Sequence, residues 1–387
     1  MGAALLLTFL PACSPPVLPL SEAPAGEPLP GLSPQETGRF EAGRSLFSRA
    51  FTPEEGLGPL FNQDRCSSCH DLPTSGGHGA EPVTKATAFD PVAGCDRLID
   101  GGGDLMQASV TPAARAAGLL PERFPEGATD ATDLQPPALY GLGLAEAIPL
   151  ESLAAAADPE DGDGDGISGR LGRSADGEAG RFGVKSTHAS LASFIEEAAR
   201  GELGLTTPLN PRESLPHGRP FPEGVDPTPE PEVDDALLAL LADYVRFLAP
   251  PPPSVPDDAE GRAAVAEGRE LFDALGCAAC HTPVWTTGPH PSPVLSGRSF
   301  RAYSDFLLHD LGPELASVCA PGAARGEWRT TPLVGLGLRS VFLHDGRAQN
   351  LSSAVDLHGG EAARARDRFR ALPQRARDDL IRFLQSL

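Results

Sequence analysis

Apolar residues recur at three- and four-residue spacing in four stretches of this chain, and the stretches come in pairs. Phe40-Glu41-Ala42-Gly43-Arg44-Ser45-Leu46-Phe47 and Val265-Ala266-Glu267-Gly268-Arg269-Glu270-Leu271-Phe272 each read as an amphipathic helix. Residues 236–248, ending in Arg246-Phe247-Leu248, and residues 377–387, containing Arg382-Phe383-Leu384, each predict an apolar helix. Between them lies a third matched pair. Pro136-Pro137-Ala138-Leu139-Tyr140-Gly141-Leu142-Gly143-Leu144 aligns with Thr331-Pro332-Leu333-Val334-Gly335-Leu336-Gly337-Leu338. Three matched elements in the same order imply a duplicated unit. The first copy carries an insertion, residues 48–63. A glycine turn at Gly180-Arg181-Phe182-Gly183-Val184-Lys185 precedes one more helical stretch, which runs to Glu202-Leu203-Gly204-Leu205-Thr206.

The boundary between the copies is Ala249-Pro250-Pro251-Pro252-Pro253-Ser254-Val255-Pro256, a stiff, extended linker. The 43 glycines and 41 prolines of the 387 residues favour long loops over continuous helix or sheet. At the front, Ala3-Ala4-Leu5-Leu6-Leu7-Thr8-Phe9-Leu10 is too short to span a bilayer and reads as a signal-peptide core. It runs into Leu10-Pro11-Ala12-Cys13, which resembles a bacterial lipobox with Cys13 as the lipidated residue, although no Lys or Arg precedes the apolar run. Residues 21–34 read as a disordered tether.

Each copy carries the same chemistry. Cys66-Ser67-Ser68-Cys69-His70 and Cys277-Ala278-Ala279-Cys280-His281 both match C-x-x-C-H, the attachment signature of a c-type haem. Two thiols three positions apart reach the two haem vinyls from one side, and the next residue then lies under the iron. A zinc site would need two more ligands per motif, and a redox C-x-x-C would want a βαβ setting. The expected fold is therefore mainly α: two tandem cytochrome c-like domains related by internal duplication, with long ordered loops. Residues 1–20 form the signal and lipobox region, 35–248 the first haem domain, 249–256 the linker and 257–387 the second haem domain. Two covalently bound haems c are the expected cofactors, with His70 and His281 as proximal iron ligands.

Three further features shape the expectation. The formal charge of −22 argues against nucleic acid or an anionic membrane surface as partner, and suits a basic electron-transfer protein as well as it suits a solvated acidic surface. Of seven cysteines, Cys95 and Cys319 remain after Cys13 and the haem motifs. In an oxidising compartment a disulfide between them is the natural pairing, with two buried thiols as the alternative. Asp158-Pro159-Glu160-Asp161-Gly162-Asp163-Gly164-Asp165-Gly166 begins like an EF-hand loop with Asp161, Asp163 and Asp165 as calcium ligands. The Glu required at the twelfth position is absent, since Gly172 stands there, so a calcium loop and an acidic solvated turn are both open.

Two haem motifs in one exported chain, with Phe342-Leu343-His344-Asp345-Gly346-Arg347 and Leu351-Ser352-Ser353-Ala354-Val355 after the second, resemble the bacterial di-haem cytochrome c peroxidase superfamily. Leu60-Phe61-Asn62, Gly141-Leu142-Gly143-Leu144-Ala145-Glu146-Ala147-Ile148-Pro149, Ile167-Ser168-Gly169-Arg170, Tyr303-Ser304-Asp305-Phe306-Leu307-Leu308-His309-Asp310 and Glu327-Trp328-Arg329-Thr330 resemble its di-haem oxidoreductase branch. Some members of that branch carry the name thiol oxidoreductase, for which no thiol pair remains here.

The resemblance implies a sixth ligand to the second haem fourteen residues after His344. Superfamily members place a methionine there. This chain has His358, and its only methionines are Met1 and Met106. The loop Gly76-Gly77-His78-Gly79 resembles the distal histidine loop, which makes His78 either a sixth ligand of the first haem or a loop histidine. His309 and His344 are expected near the second haem's propionates or the domain interface. His188, His217 and His290 receive no role. Glu146 falls beside the first haem by the repeat alignment and is the candidate for moving a proton between peroxide oxygens. Trp328 is a candidate relay between the haems, or a core residue.

These expectations amount to a periplasmic or envelope peroxidase, lipid-anchored through Cys13. A small cytochrome c or cupredoxin would deliver electrons to the second haem, and the first haem would reduce hydrogen peroxide. The alternatives are a non-catalytic electron-transfer cytochrome, or an oxygenase or protein-maturing enzyme on the same scaffold.

Overall fold

The computed structural model describes the strand Leu18–Pro19 and residues 23–387; Cys13 and the apolar run before it lie outside the described residues. Ten helices occur among the described residues: α1 Pro34–Ser48, α2 Pro112–Ala116, α3 Leu142–Glu146, α4 Leu150–Ala156, α5 Leu191–Leu203, α6 Asp235–Phe247, α7 Ala259–Leu275, α8 Leu351–Asp356, α9 Ala363–Ala371 and α10 Gln374–Ser386.

All four helices expected from apolar periodicity form, and they cross in two similar pairs. In the first pair, α1 starts at a capping box in which Ser33 Oγ accepts the Glu36 N–H and the Glu36 carboxylate accepts the Ser33 N–H. Its Gly43 lies against the Leu240 carbonyl and Tyr244 of α6, where a side chain would not fit. Phe40 and Phe47 then stack at 5.1 and 4.9 Å from the Tyr244 ring. In the second pair, Gly268 of α7 lies against the Asp379 carbonyl and Phe383 of α10, and Phe272 packs 5.5 Å from Phe383. Each haem motif follows the first helix of its pair.

The chain is less helical than expected, because short strands make up 14% of it. The largest sheet joins Val83–Asp90 antiparallel to Gly94–Asp96, Leu105–Met106 and Asp130–Leu134, and stands between the first haem motif and α3 in sequence. Residues 23–33 depart from the expected tether. Leu29 is buried in the main core, its N–H bonds the Phe247 carbonyl at 2.8 Å, and Gly26 accepts from Arg44. The proline run is likewise held at both ends, through Ala249 N to Glu27 O at 3.0 Å and Ser254 N to Ser386 O at 2.8 Å.

Cys95 and Cys319 form a disulfide with their Cα atoms 5.8 Å apart, which joins the first sheet to the second half of the chain. Arg170 and Glu327 add a bidentate ion pair at 2.6 Å for both bonds.

Candidate haem sites

Both C-x-x-C-H motifs fold as one tight turn, Cys66–Ser68 and Cys277–Ala279, that brings each histidine N–H onto the first cysteine's carbonyl, at 3.3 and 3.0 Å. Each imidazole is then held by its Nδ1. His70 Nδ1 donates to Gly77 O at 3.1 Å and His281 Nδ1 to Tyr303 O at 2.9 Å. In His281 that leaves Nε2 as the free lone pair, the arrangement a metal-bound histidine needs, while the His70 ring also meets the Pro137 backbone. Burial pulls both imidazoles below their usual range, His281 to about 4, so both are neutral and able to ligate. Burial also pushes the Cys66, Cys69 and Cys277 thiols up to about 12, unlike the lowered thiols of a redox pair.

A cavity of about 280 Å³ opens in front of Cys66, Cys69 and His70. Phe47, Val83, Leu134, Leu139, Leu142 and Phe182 are among the apolar residues that line it. Arg329 and Arg339 also reach it, and burial drives both below the usual guanidinium range, Arg329 to about 10. Arg329 donates to the Gly183 carbonyl at 2.9 Å and feels the Asp305 carboxylate, whereas Arg339 Nε has no partner among the described residues. An apolar slot with two thiols and an imidazole on its lining, together with two buried arginines, fits a haem, whose propionates would pair with the arginines.

The second motif has a different neighbour. His358 stands close enough to His281 to depress its basicity, and its own Nδ1 donates to the Ala354 carbonyl at 2.7 Å. Two imidazoles with Nδ1 engaged and Nε2 free could hold an iron from opposite faces. Phe272, Tyr303 and Phe383 pack around this motif.

A family model described as "Di-haem oxidoreductase, putative peroxidase" matches residues 132–387. The chain belongs to the di-haem oxidoreductase family. Haem is therefore the family's cofactor. No curated protein matches the chain in sequence. Among solved structures it is similar to hydrazine synthase from Kuenenia stuttgartiensis, with 14% identity, a TM-score of 0.42 and 100% of each chain covered. It is also similar to a MauG-like protein associated with microbial copper homeostasis, with 15% identity, a TM-score of 0.40, and 98% of this chain and 95% of that one covered. A third similarity is to a variant of the diheme peroxidase BthA from Burkholderia thailandensis, with 16% identity, a TM-score of 0.42, and 95% and 89% covered.

Among the other candidate residues of this di-haem oxidoreductase, one stands apart from its expected place. Glu146, expected beside the first haem, is not on the cavity wall. Its Oε1 accepts the Leu191 N–H at 3.0 Å and its Oε2 accepts from Arg246 at 2.8 Å, so it caps α5 and ties it to α6. His78 is buried but does not line the cavity either. Its loop closes on Leu72 through two backbone bonds and serves the His70 side by presenting the Gly77 carbonyl.

In the acidic loop the structure gathers Asp158, Asp161 and Asp163. Asp165 instead accepts the Ile167 N–H, and Asp161 and Asp163 also accept backbone N–H groups. His309 is clamped between Asp305 at 2.8 Å and Glu361 at 2.7 Å. Burial opposes its charge, but these bonds, with a contact to Cys280, raise it to about 12. Glu361 also accepts the N–H and Oγ of Ser168, which fastens the acidic loop's far end to the second half. His344 stacks on Trp328 at 3.6 Å, with Lys185 Nζ 3.5 Å above the ring. Trp328 packs against Leu134, and the residue beside it, Gln135, donates its N–H to the His344 carbonyl.

The sequence reading missed a charged network on the first cavity's wall. Lys85, Arg97, Asp104, His188 and Glu197 all line it. Arg97 bonds Asp104 at 3.0 Å and Glu197 at 2.8 Å, Lys85 lies 3.6 Å from Asp104, and His188 Nε2 bonds Glu197 at 2.8 Å. These residues are scattered over more than a hundred positions with no motif to join them. Only their convergence on the cavity marks them.

Proposed function

We propose that this chain is an exported di-haem c-type oxidoreductase of peroxidase type. Cys66 and Cys69 bind one haem by thioethers and Cys277 and Cys280 the other, with His70 and His281 as proximal ligands. Electrons from a small cytochrome c or cupredoxin enter at the second haem and pass to the first, which reduces hydrogen peroxide. Haem supplies the redox chemistry when bound; the protein sets ligation, burial and proton supply. The two tandem domains are read as one duplicated cytochrome c-like unit, joined at 249–256, and export with a lipid anchor at Cys13 completes the picture. Calcium at the acidic loop is not required.

One observation carries this reading. The second motif has a further imidazole, His358, whose charge acts on His281, while the first faces a cavity also lined by a hydrogen-bonded charge network. A closed iron for electron transfer and an open iron for peroxide is the division of labour a di-haem peroxidase needs. The parallel helix crossings around Gly43 and Gly268 support the duplication.

The test is stopped-flow peroxide consumption by the haem-loaded protein with a reduced small cytochrome as donor. Turnover of donor with peroxide, at two donors per peroxide, is expected. Rapid electron exchange with the donor and no peroxide consumption would make the chain an electron carrier instead.

A further inference from the structure

His188 is the one histidine other than His70 that reaches the first cavity. The backbone holds it rigidly, since Arg181 and Phe182 both donate to its carbonyl, at 2.8 and 3.0 Å, and its own N–H returns to Phe182 O at 3.3 Å. Its ring meets Phe194 edge-on at 5.3 Å. Glu197 accepts the Nε2 proton, and a carboxylate can only accept, so the neutral ring keeps its lone pair on Nδ1. The side-chain bond of His188 is the one its Nε2 makes to Glu197.

The groups around it arrange the charge. Lys85 from the first sheet and Arg97 from the loop after it both reach the Glu197 oxygen that His188 does not use, and Asp104 balances the second cation. Burial opposes ionisation of Glu197, but the His188 bond and the two cations overcome it and hold the carboxyl well below the usual range. His70 and this network line the same cavity, and Lys85 and Glu197 act electrostatically on Glu202 as well. Glu202 also reaches the cavity, but beside Cys66 and Cys69, with its carboxylate on Asn62 at 2.8 Å.

We propose that His188 is the proton acceptor of the first-haem cavity, with Glu197 as its positioning residue. A protic ligand entering the cavity gives its proton to Nδ1: the bond from hydrogen to the ligand breaks, the N–H bond forms, and the imidazolium rests against the Glu197 carboxylate. The ligand continues as its anion, so charge and atoms balance with no electron moved. The inference rests on the cavity being the site of an open haem, and it names a base that the peroxidase reading leaves unassigned once Glu146 is placed elsewhere.

The test is cyanide association with the ferric, haem-loaded protein at pH 7, followed optically. Hydrogen cyanide enters as a neutral acid and must lose its proton to bind as an anion. His188→Ala is expected to slow association on the order of a hundred-fold, the low end of what a positioned base contributes. Glu197→Gln is expected to slow it less, and the double variant to be no slower than His188→Ala, because the two act as one unit. If His188→Ala does not fold, His188→Gln serves as the same test. Association within twofold of wild type in a folded His188 variant overturns the proposal. Cyanide binding that depends on His188 in a protein that consumes no peroxide upholds it while removing the peroxidase reading. A wild-type protein that takes up no cyanide removes both.

Discussion

On the proposed reading, His358 closes the second haem and so sets its task. A methionine is the usual ligand at this place in the resembling superfamily, and a thioether favours ferrous iron where imidazole favours ferric. His358→Met is therefore expected to raise the second haem's midpoint potential on the order of a hundred millivolts, within the roughly 0.8 V span that axial ligands command. Optical redox titration measures it; an unchanged potential would mean that His358 is not bound to iron. Glu213 illustrates a different constraint. Burial, then the neighbouring Glu232, Glu230 and Asp226, push its carboxyl up to about 9. An acid raised above its unfolded value binds more protons folded than unfolded, so its effect is to lower stability as pH rises from about 4.5 toward 9. Glu213→Gln is expected to stabilise the fold at pH 8 and to change little at pH 4, measured by thermal melts at the two values; equal melts at pH 8 would contradict it. At this scale the two C-x-x-C-H motifs were legible because their spacing is the chemistry. His188 and Glu197 were not, since each becomes a site residue only through tertiary contact. Glu146 misled because alignment of the two halves places a residue near a haem but says nothing of where its carboxylate points.

Among the elements, the helices were legible and the sheet was not. The paired helices carry periodic apolar faces and small residues at their crossings. Val83–Asp90, by contrast, is half-buried along most of its length with no clean alternation, and Asp130–Leu134 is largely polar, so neither shows the period-two pattern of a strand. The helix crossings give a direct prediction. Gly43→Val and Gly268→Val would each drive a side chain into a backbone carbonyl of the facing helix, and each is expected to cost about 1–3 kcal/mol by denaturant unfolding. A neutral result at either position would show that the pair can separate freely. Residues 23–33 and the proline linker read as loose segments by composition, yet Leu29 and Ala249 are buried; composition reports propensity, and these segments are fixed by backbone bonds it does not encode.

In the whole molecule, the halves are fastened by more than the linker. The Cys95–Cys319 disulfide closes a separation of 224 residues, and Val318, Cys319 and Ala320 form part of the first cavity's wall. Replacing both cysteines by serine is expected to cost about 2–5 kcal/mol of stability, measured in denaturant against the oxidised protein. Reduction of the wild type is expected to match it, and no loss in either would mean that Arg170–Glu327 and Glu361–Ser168 hold the halves unaided. The pairing was open from cysteine arithmetic, whereas the ion pair and the Glu361 contacts join positions that only folding brings together.

On the proposed reading the two irons differ, one closed by His358 and one open toward the cavity that His188 lines. Low-temperature EPR on the haem-loaded protein, fully oxidised and half-reduced, before and after peroxide, tests it most directly. One low-spin signal of bis-histidine type is expected, together with a high-spin signal in at least one of these states that vanishes on adding peroxide. Two low-spin histidine-type signals that ignore peroxide in both states would contradict it.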